Sequence, residues 1–163
     1  MGEPNYSKFL CEDTFSVFLF HGVLKKQPEG ILNYNRKHLV ADYFYRVLRD
    51  LLAFGGVPVS MDEILWANVN GNKLPNKSFA ITFDDGFLNN KTVAADVLVD
   101  LKIPATFYVT TSFIENNEMS WIDKIEFAVQ TTQKSEIVLN QLGKFKLNTS
   151  IKKIEFLEFI RHV

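Results

Sequence analysis

The sequence contains almost no cysteine. Cys11 is the only one among 163 residues, so no internal disulfide can form and a disulfide-stapled scaffold is excluded. Cys11 has neither a neighbouring base nor a partner at metal-ligand spacing, and we expect it to be chemically inert. One unpaired thiol fits a reducing compartment without requiring it.

The sequence also has no excess of charge of either sign. Its 18 Lys and Arg residues and 19 Asp and Glu residues give a formal net charge of −1. Because no basic tail or stripe is present, we expect no nucleic acid as the main partner.

Long apolar runs are missing as well. The run at Phe15–Phe20 is far too short to span a bilayer, so we expect no membrane span. Residues 1–14 include acidic and polar groups and do not have the pattern of a signal peptide. This favours a cytoplasmic protein, unless an export signal was removed.

Aromatic side chains, by contrast, are abundant. The chain has 15 Phe and 5 Tyr residues and is 47% hydrophobic and 23% charged. This usage is ordinary for a globular protein, and it predicts a well-filled core. The length favours a single domain, which we place at residues 1–163.

Residues 1–120 alternate between strand and helix patterns. Short apolar runs rich in aromatic and β-branched residues predict strands at 16–20, 78–83 and 104–110. Apolar residues at helical spacing and helix-capping signals predict helices at 36–54, 61–66 and 89–101, with a loop at 27–35. Because parallel strands need crossovers of helix length, this alternation points to parallel pairing and an α/β fold.

The pattern changes after residue 120. A helix is predicted at 121–130, a hairpin from 136–139 and 144–147, and a last helix that is capped by Thr149 or Ser150 and runs to Val163. We therefore expect an inserted helix–hairpin–helix unit at 121–163. Because the last helix has no stop signal, we expect the chain to have been cut from a longer one.

Two adjacent carboxylates follow the second predicted strand, where an apolar run ends in Asp84-Asp85-Gly86. The carboxyl end of a parallel strand is where α/β folds build their sites. Because side chains alternate along a strand, one carboxylate can ligate a cation while the other holds or deprotonates a water. The alternative is a solvated turn, since Asp and Gly are common in turns.

The residues around this pair resemble the metal-dependent polysaccharide deacetylases, the chitooligosaccharide-deacetylase homology domain. The likeness covers roughly residues 15–130 and implies a partial (β/α) deacetylase-type barrel at 1–120, with an insertion at 121–163. The segments that carry it are Thr82-Phe83-Asp84-Asp85-Gly86, which resembles the first family motif, Phe20-His21-Gly22-Val23, Ile103-Pro104-Ala105-Thr106-Phe107-Tyr108-Val109 and Trp121-Ile122-Asp123.

The resemblance implies hydrolytic removal of an acetyl group from N- or O-acetylated sugars in an oligo- or polysaccharide. Asp84 would be the general base that deprotonates a metal-bound water. Asp85 would be a ligand of the divalent metal ion, which in the family is usually zinc. The metal would polarise the acetyl carbonyl and stabilise the tetrahedral oxyanion.

One part of the family pattern is absent. The second motif supplies two His residues, four positions apart, as further metal ligands, whereas this sequence has only His21, His38 and His162. A catalytic zinc site takes three protein ligands and a water. We therefore expect an N-terminal fragment with an incomplete site, inactive by itself, whose uncovered strand edges favour self-association.

Three further residues are candidates for lining the cleft. His21 ends the first predicted strand, Thr110 ends the third, and Trp121 begins the inserted unit. Each also has a structural interpretation: a hydrogen-bonded core histidine, a plain loop residue, and a tryptophan that packs the insertion onto the barrel. His38, in the first turns of the helix predicted at 36–54, is expected at the surface.

Two other functions stay open. A catalytically inactive carbohydrate-binding or regulatory remnant would keep the fold without the metal site. A magnesium-dependent phosphoryl or glycosyl transferase would also use paired carboxylates, but the sequence has neither a phosphate-cradling Gly-rich loop nor the Asp-x-Asp spacing. A His pair beyond Val163 would distinguish the enzyme from the remnant.

Overall fold

The computed structural model describes residues 6–163. The first five residues, which belong to the domain predicted at 1–163, lie outside the described part. The described chain forms two compact units. One consists of the residues up to Lys26 together with Lys37–Thr110, and the other of Gln27–Arg36 and Thr111–Val163.

The first unit alternates strands with helices, which confirms the predicted α/β class. It begins with a 3-10 turn at Tyr6–Phe9. The elements that follow are β1 (Phe15–Phe20), β2 (Gly22–Leu24), β3 (His38–Val40), α1 (Ala41–Ala53), β4 (Val57–Pro58), α2 (Met61–Asn70), β5 (Ser78–Phe83), a π-helical turn (Asn90–Ala94), α3 (Ala95–Asp100) and β6 (Ala105–Phe107).

Strand β5 lies at the centre of the larger sheet. β1 pairs with it in parallel along its whole length, with Phe15 opposite Ser78 and Phe20 opposite Phe83. β4 pairs in parallel with the start of β5, and β6 with its end. Every residue of β5 is buried, as expected for a strand covered on both faces. The predicted strand and its parallel pairing are confirmed.

The sheet is open within residues 6–163. β1, β4, β5 and β6 form one four-stranded sheet that does not close into a barrel, and β2 and β3 form a separate parallel pair. The side chains of β1 alternate between exposed and half-buried. The exposed set includes Val17 and Leu19, which are 43% and 53% accessible to solvent.

One face of β5 carries the main hydrophobic core. Phe79, Ile81 and Phe83 pack against the buried stripe of α1, whose Leu48 is fully buried. This stripe exists because apolar residues of α1 recur at helical spacing. The other buried members of the core are Val23, Phe44, Val47, Leu51, Ala94, Leu98 and Ile103.

The helix predicted at 36–54 begins later than expected, at Ala41. Arg36 has a φ of 55°, which is incompatible with a right-handed helix. The segment His38–Val40 then pairs with β2 as a strand. A strand this short leaves no recognisable period in the sequence, and the expectation that His38 lies in a helix was therefore wrong.

Two other predicted elements are shorter than expected. The helix predicted at 89–101 opens with the π-helical turn and becomes α-helical at Ala95. The strand predicted at 104–110 is confined to Ala105–Phe107. Its pairing ends where β5 ends: the Tyr108 N–H donates to the Phe83 carbonyl at 2.7 Å.

The second unit consists of helices and a β-hairpin: α4 (Thr111–Glu115), α5 (Trp121–Thr131), β7 (Glu136–Leu139), β8 (Gly143–Lys146) and α6 (Ser150–Arg161). β7 and β8 pair in antiparallel register, so the predicted helix–hairpin–helix order is confirmed. Thr149 caps α6, which ends at Arg161 rather than at Val163. The buried core of the second unit consists of Ile31, Val129, Leu147, Phe156 and Leu157.

Residues 27–36 join this second unit through two backbone groups. The Ile31 N–H donates to Gln130 Oε1 at 2.9 Å, and the Asn33 N–H donates to Glu126 Oε1 at 2.7 Å. These side chains satisfy amides that a loop would otherwise leave to solvent. None of the helices in the described part of the chain has the length and apolar character needed to cross a membrane.

Candidate active site

The ends of three parallel strands meet at one edge of the first unit. The Asp84 N–H donates to the Phe20 carbonyl at 3.0 Å, so the residue after β5 is bonded to the last residue of β1. His21 follows β1 directly, and Phe20 lies opposite Phe83. His21 and Asp84 therefore leave neighbouring strands at the same edge. The predicted position of the Asp pair, at the carboxyl end of a central parallel strand, is confirmed.

The loop after β5 has an unusual backbone. Asp85 has a φ of 69° and Gly86 a φ of 67°, so two successive residues are left-handed. Asp enters this region more readily than most residues, and Gly does so at no steric cost. At Gly86 the space is also limited, because an added Cβ would lie 2.9 Å from Val109 Cγ1. Only glycine fits here without a shift of its neighbours.

Both carboxylates of the pair are half-buried. Among residues 6–163, neither Asp84 nor Asp85 has a side-chain hydrogen bond or an ion pair, whereas the exposed capping residue Glu63 accepts hydrogen bonds from Ser60. Two carboxylates that are held at a strand end without a structural partner remain available to a ligand. This arrangement suits proton abstraction or cation binding.

The structure brings a residue to this loop that sequence reasoning missed. The ring of His38, at the start of β3, lies edge-on to the ring of Phe87, with centroids 4.6 Å apart. Asn89 Nδ2 lies 3.2 Å from His38 Nδ1. The contacts join positions about 50 residues apart, and no local signal in the sequence indicates them.

Asn90 fits the polar helix start that follows the family motif, but no site role was predicted for it. Its side chain is 4% exposed, and neither its amide nitrogen nor its amide oxygen has a hydrogen-bond partner in the described part of the chain. It is the first residue of the π-helical turn. Such turns inside helices are frequent at functional sites. The pairing of two Asn residues after the Asp-Asp-Gly motif was the only sequence signal for this feature.

Thr110 and Trp121 lie in different units. Thr110 is half-buried and follows β6, on the strand-end side of the first unit. Trp121 is the first residue of α5 in the second unit, and 60% of its surface is exposed. The expectation that either residue lines a cleft stays a prediction, as does the same expectation for His21.

The donors that the structure describes do not make up a complete metal site. Among residues 6–163, no group of three or more His, Cys, Asp or Glu side chains is placed to hold a metal ion. A zinc site with three protein ligands and an open position is therefore not formed by these residues alone. Asp85 fits the chemistry of a single oxygen ligand and no more.

Together, the fold and the loop define a class: parallel α/β proteins with an acidic pair at the carboxyl end of a central strand. Residues 71–140 match the family model described as Polysaccharide deacetylase. This segment holds β5, the Asp84–Asp85 loop and β6. This segment therefore carries the likeness of the chain to the polysaccharide deacetylase family.

Three solved structures are similar to the chain. IcaB from Ammonifex degensii is 27% identical, with a TM-score of 0.55, over 74% of this chain and 50% of that one. The Streptococcus pyogenes deacetylase PplD, solved with acetate, is 20% identical (TM-score 0.53; 69% of this chain and 50% of that one). BC0361, a polysaccharide deacetylase from Bacillus cereus, is 22% identical (TM-score 0.50; 90% and 48%).

The chain therefore spans about half the length of these solved proteins. At 20% and 22% identity, PplD and BC0361 support the likeness of fold alone. A search of curated proteins gave no match.

Proposed function

We propose that this chain carries part of the active site of a hydrolase that removes acetyl groups from N- or O-acetylated sugars in an oligo- or polysaccharide. The observation that carries this proposal is a pair of carboxylates, Asp84 and Asp85, that have no side-chain hydrogen bond or ion pair to the described residues and lie at the carboxyl end of β5, inside the segment that matches the family. The acetate bound in PplD is the product that such a reaction would release.

In this proposal Asp84 is the general base. Its backbone N–H is fixed by the end of β1, and its carboxylate is half-buried without a competing hydrogen bond among the described residues. A base in this state takes a proton from a water that attacks the acetyl carbonyl. Asp85 has a different proposed role, which the resemblance to the family implies: it is an oxygen ligand for a divalent cation. Its left-handed backbone turns the chain away from the strand direction.

The remaining ligands are proposed to lie outside these 163 residues. The described residues offer no group of three metal donors, and the matches cover only about half of each of these solved proteins. A pair of His residues on a further segment would complete a zinc site. By itself, the chain is expected to bind zinc weakly and to release no acetate.

The test compares two proteins, the 163-residue chain and a longer protein that contains it. Zinc binding is measured by calorimetry, and acetate release from N-acetylglucosamine oligomers by a coupled assay. We expect Asp84→Asn in the longer protein to keep the metal and to lower turnover about 10²–10⁴-fold. Asp85→Ala should lose the metal. Asp100→Asn, at the exposed end of α3, is the matched control and should change neither.

Two outcomes would contradict the proposal. Tight zinc binding and full activity in the 163-residue chain would show that the site is complete here. A longer protein that binds no metal and releases no acetate would instead favour the alternative function, a carbohydrate-binding remnant of the same fold.

Self-association of the isolated chain is a further part of the proposal. Strand β1 is an edge strand among the described residues, and its exposed face carries Phe15, Val17 and Leu19. An apolar edge of this kind favours contact with another copy. Sedimentation of the wild type against Val17→Lys measures the effect, and equal monomer fractions would refute it.

A further inference from the structure

The first residue of β3, His38, and the residue before it, Lys37, contact the segment that leaves the acidic loop. The ring of His38 meets the edge of Phe87 at an interplanar angle of 78°. Lys37 Nζ lies 4.5 Å from the centroid of the same Phe87 ring. Asn89 lies within hydrogen-bonding distance of His38 Nδ1. The Phe87 ring is thus contacted by His38, the first residue of β3, and by Lys37, which precedes the strand, and the nearby Asn89 is bonded to His38. We call Lys37, His38, Phe87 and Asn89 the loop clamp.

The backbone of strand β2 also lies against the loop clamp. Gly22 lies opposite His38 in the parallel pair of β2 and β3. A Cβ built on Gly22 would lie 2.1 Å from His38 Nδ1 and 2.5 Å from Asn89 Oδ1. The bonded pair of His38 and Asn89 therefore rests directly on the Gly22 backbone. Glycine at this position permits a contact between backbone and side chain that no other residue leaves room for.

The acidic loop needs support on both sides. Asp85 is a non-glycine residue in the left-handed region, followed by a second left-handed residue, Gly86. Backbone conformations of this kind persist only where the surrounding structure determines them. On the strand side, the Asp84 N–H bond to the Phe20 carbonyl does so. On the helix side, His38 of β3 contacts Phe87 and Asn89.

We propose that His38 and Asn89 are positioning residues, which hold the exit of the Asp84–Asp85 loop against β2 and so set the direction of the two carboxylates. This inference rests on the deacetylase function proposed above for its consequence in catalysis. The geometry of the loop is its direct consequence. Neither residue is required to touch the substrate or a metal ion.

The hydrogen bond between Asn89 and His38 can be kept or removed by the choice of substitution at His38. With the Asn89 amide as assigned, Nδ2–H donates to His38 Nδ1, so the acceptor sits on the first nitrogen of the ring. The side-chain oxygen of Asn occupies nearly the same place as Nδ1 of His. His38→Asn therefore keeps the acceptor and removes the ring, whereas His38→Ala removes both.

The measurement is hydrogen–deuterium exchange of backbone amides in the full 163-residue chain. In His38→Ala we expect the amides of residues 85–90 to exchange about tenfold faster, since one hydrogen bond and one aromatic contact are lost. Amides of β5 should keep their protection. His38→Asn should restore most of the protection of the loop. His162→Ala, which lies beyond the end of α6, is the matched control and should leave the loop unchanged.

A second variant guards against misfolding. If His38→Ala does not fold, Asn89→Ala breaks the same hydrogen bond while the His38 and Phe87 rings remain, and it should also speed exchange at 85–90. In the longer protein, both variants should lower kcat while KM stays within about twofold. The reason is that the orientation of the general base matters in the transition state and not for substrate binding.

The results separate this inference from the proposed function. Unchanged exchange at 85–90 in both variants overturns the positioning role, whether or not acetate is released. Exchange that rises equally in loop and strands, without rescue by His38→Asn, also overturns it, because it indicates general loss of stability. Faster loop exchange in the two variants, together with a longer wild-type protein that releases no acetate, supports the clamp and refutes only the deacetylase function.

Discussion

Gly22→Ala is a demanding test of how tightly the acidic loop is held. The added methyl group would lie 2.1 Å from His38 Nδ1 and 2.5 Å from Asn89 Oδ1. Both distances are far below van der Waals contact, so the imidazole and the amide must move away from the strand. The backbone of Gly22 itself has no positive φ, and alanine is therefore tolerated there by the main chain.

The expected cost follows from what the movement breaks. Loss of the bond between His38 and Asn89 costs about 1 kcal/mol, and loss of the edge contact to Phe87 costs about another 1 kcal/mol. Alanine restricts the unfolded chain more than glycine does, which returns about 0.5–1 kcal/mol. We therefore expect the free energy of unfolding to fall by about 1–1.5 kcal/mol.

Urea unfolding measures this change, and two further variants isolate its cause. In a His38→Ala background the methyl group no longer meets the imidazole and clashes only with Asn89 Oδ1. Gly22→Ala should therefore cost clearly less than in the wild type, a non-additive result typical of contacting residues. Gly71→Ala is the contrasting variant: with a φ of 66° and no atoms within 4 Å of an added Cβ, it costs backbone strain without a clash, and this cost should be the same in both backgrounds. Additive costs, or a Gly22→Ala variant as stable as the wild type, would refute the reasoning.

Other predictions concern single contacts. Gly86→Ala, with a left-handed φ and Val109 Cγ1 only 2.9 Å from the new methyl group, should cost about 1–2 kcal/mol of unfolding free energy. Leu48→Ala in the fully buried core should cost about 2–5 kcal/mol in urea unfolding. Hydrogen bonds from the backbone N–H and the hydroxyl of Ser60 lower the pKa of Glu63 from 4.5. The cap therefore stabilises the fold fully above pH 4.5, and this stabilisation is lost as the pH falls through the lowered pKa of Glu63. The stability gap between wild type and Glu63→Gln should therefore close in acid.

Strand β5 and its acidic ending were predictable because their signal is local. A short apolar run that ends in Asp84-Asp85-Gly86 has the pattern of a buried strand followed by a tight turn, and the structure has both. The hairpin of β7 and β8 was equally legible, because the turn signal at 140–143 separates two short strand patterns.

The clamp and the small strands were not predictable for a physical reason. β2, β3 and β4 have two or three residues each, too few for any period to show. His38 lies in a strand because β2 pairs with it, and its contacts to Phe87 and Asn89 depend on chain segments that are distant in sequence. Pairing between distant segments, rather than local propensity, decides such positions.

The pairing of β1 with β5 also sets the order in which this protein can fold. Phe15 pairs with Ser78, so the central ladder joins segments about 60 residues apart, and contacts over such separations slow folding. Helices α1 and α2 lie between the two strands and can form earlier, from local contacts alone. The hydrogen bond from the Asp84 N–H to the Phe20 carbonyl can form only after this ladder is complete. The catalytic geometry proposed here thus arises late in folding, and a stalled intermediate would expose a phenylalanine-rich strand while lacking any working site.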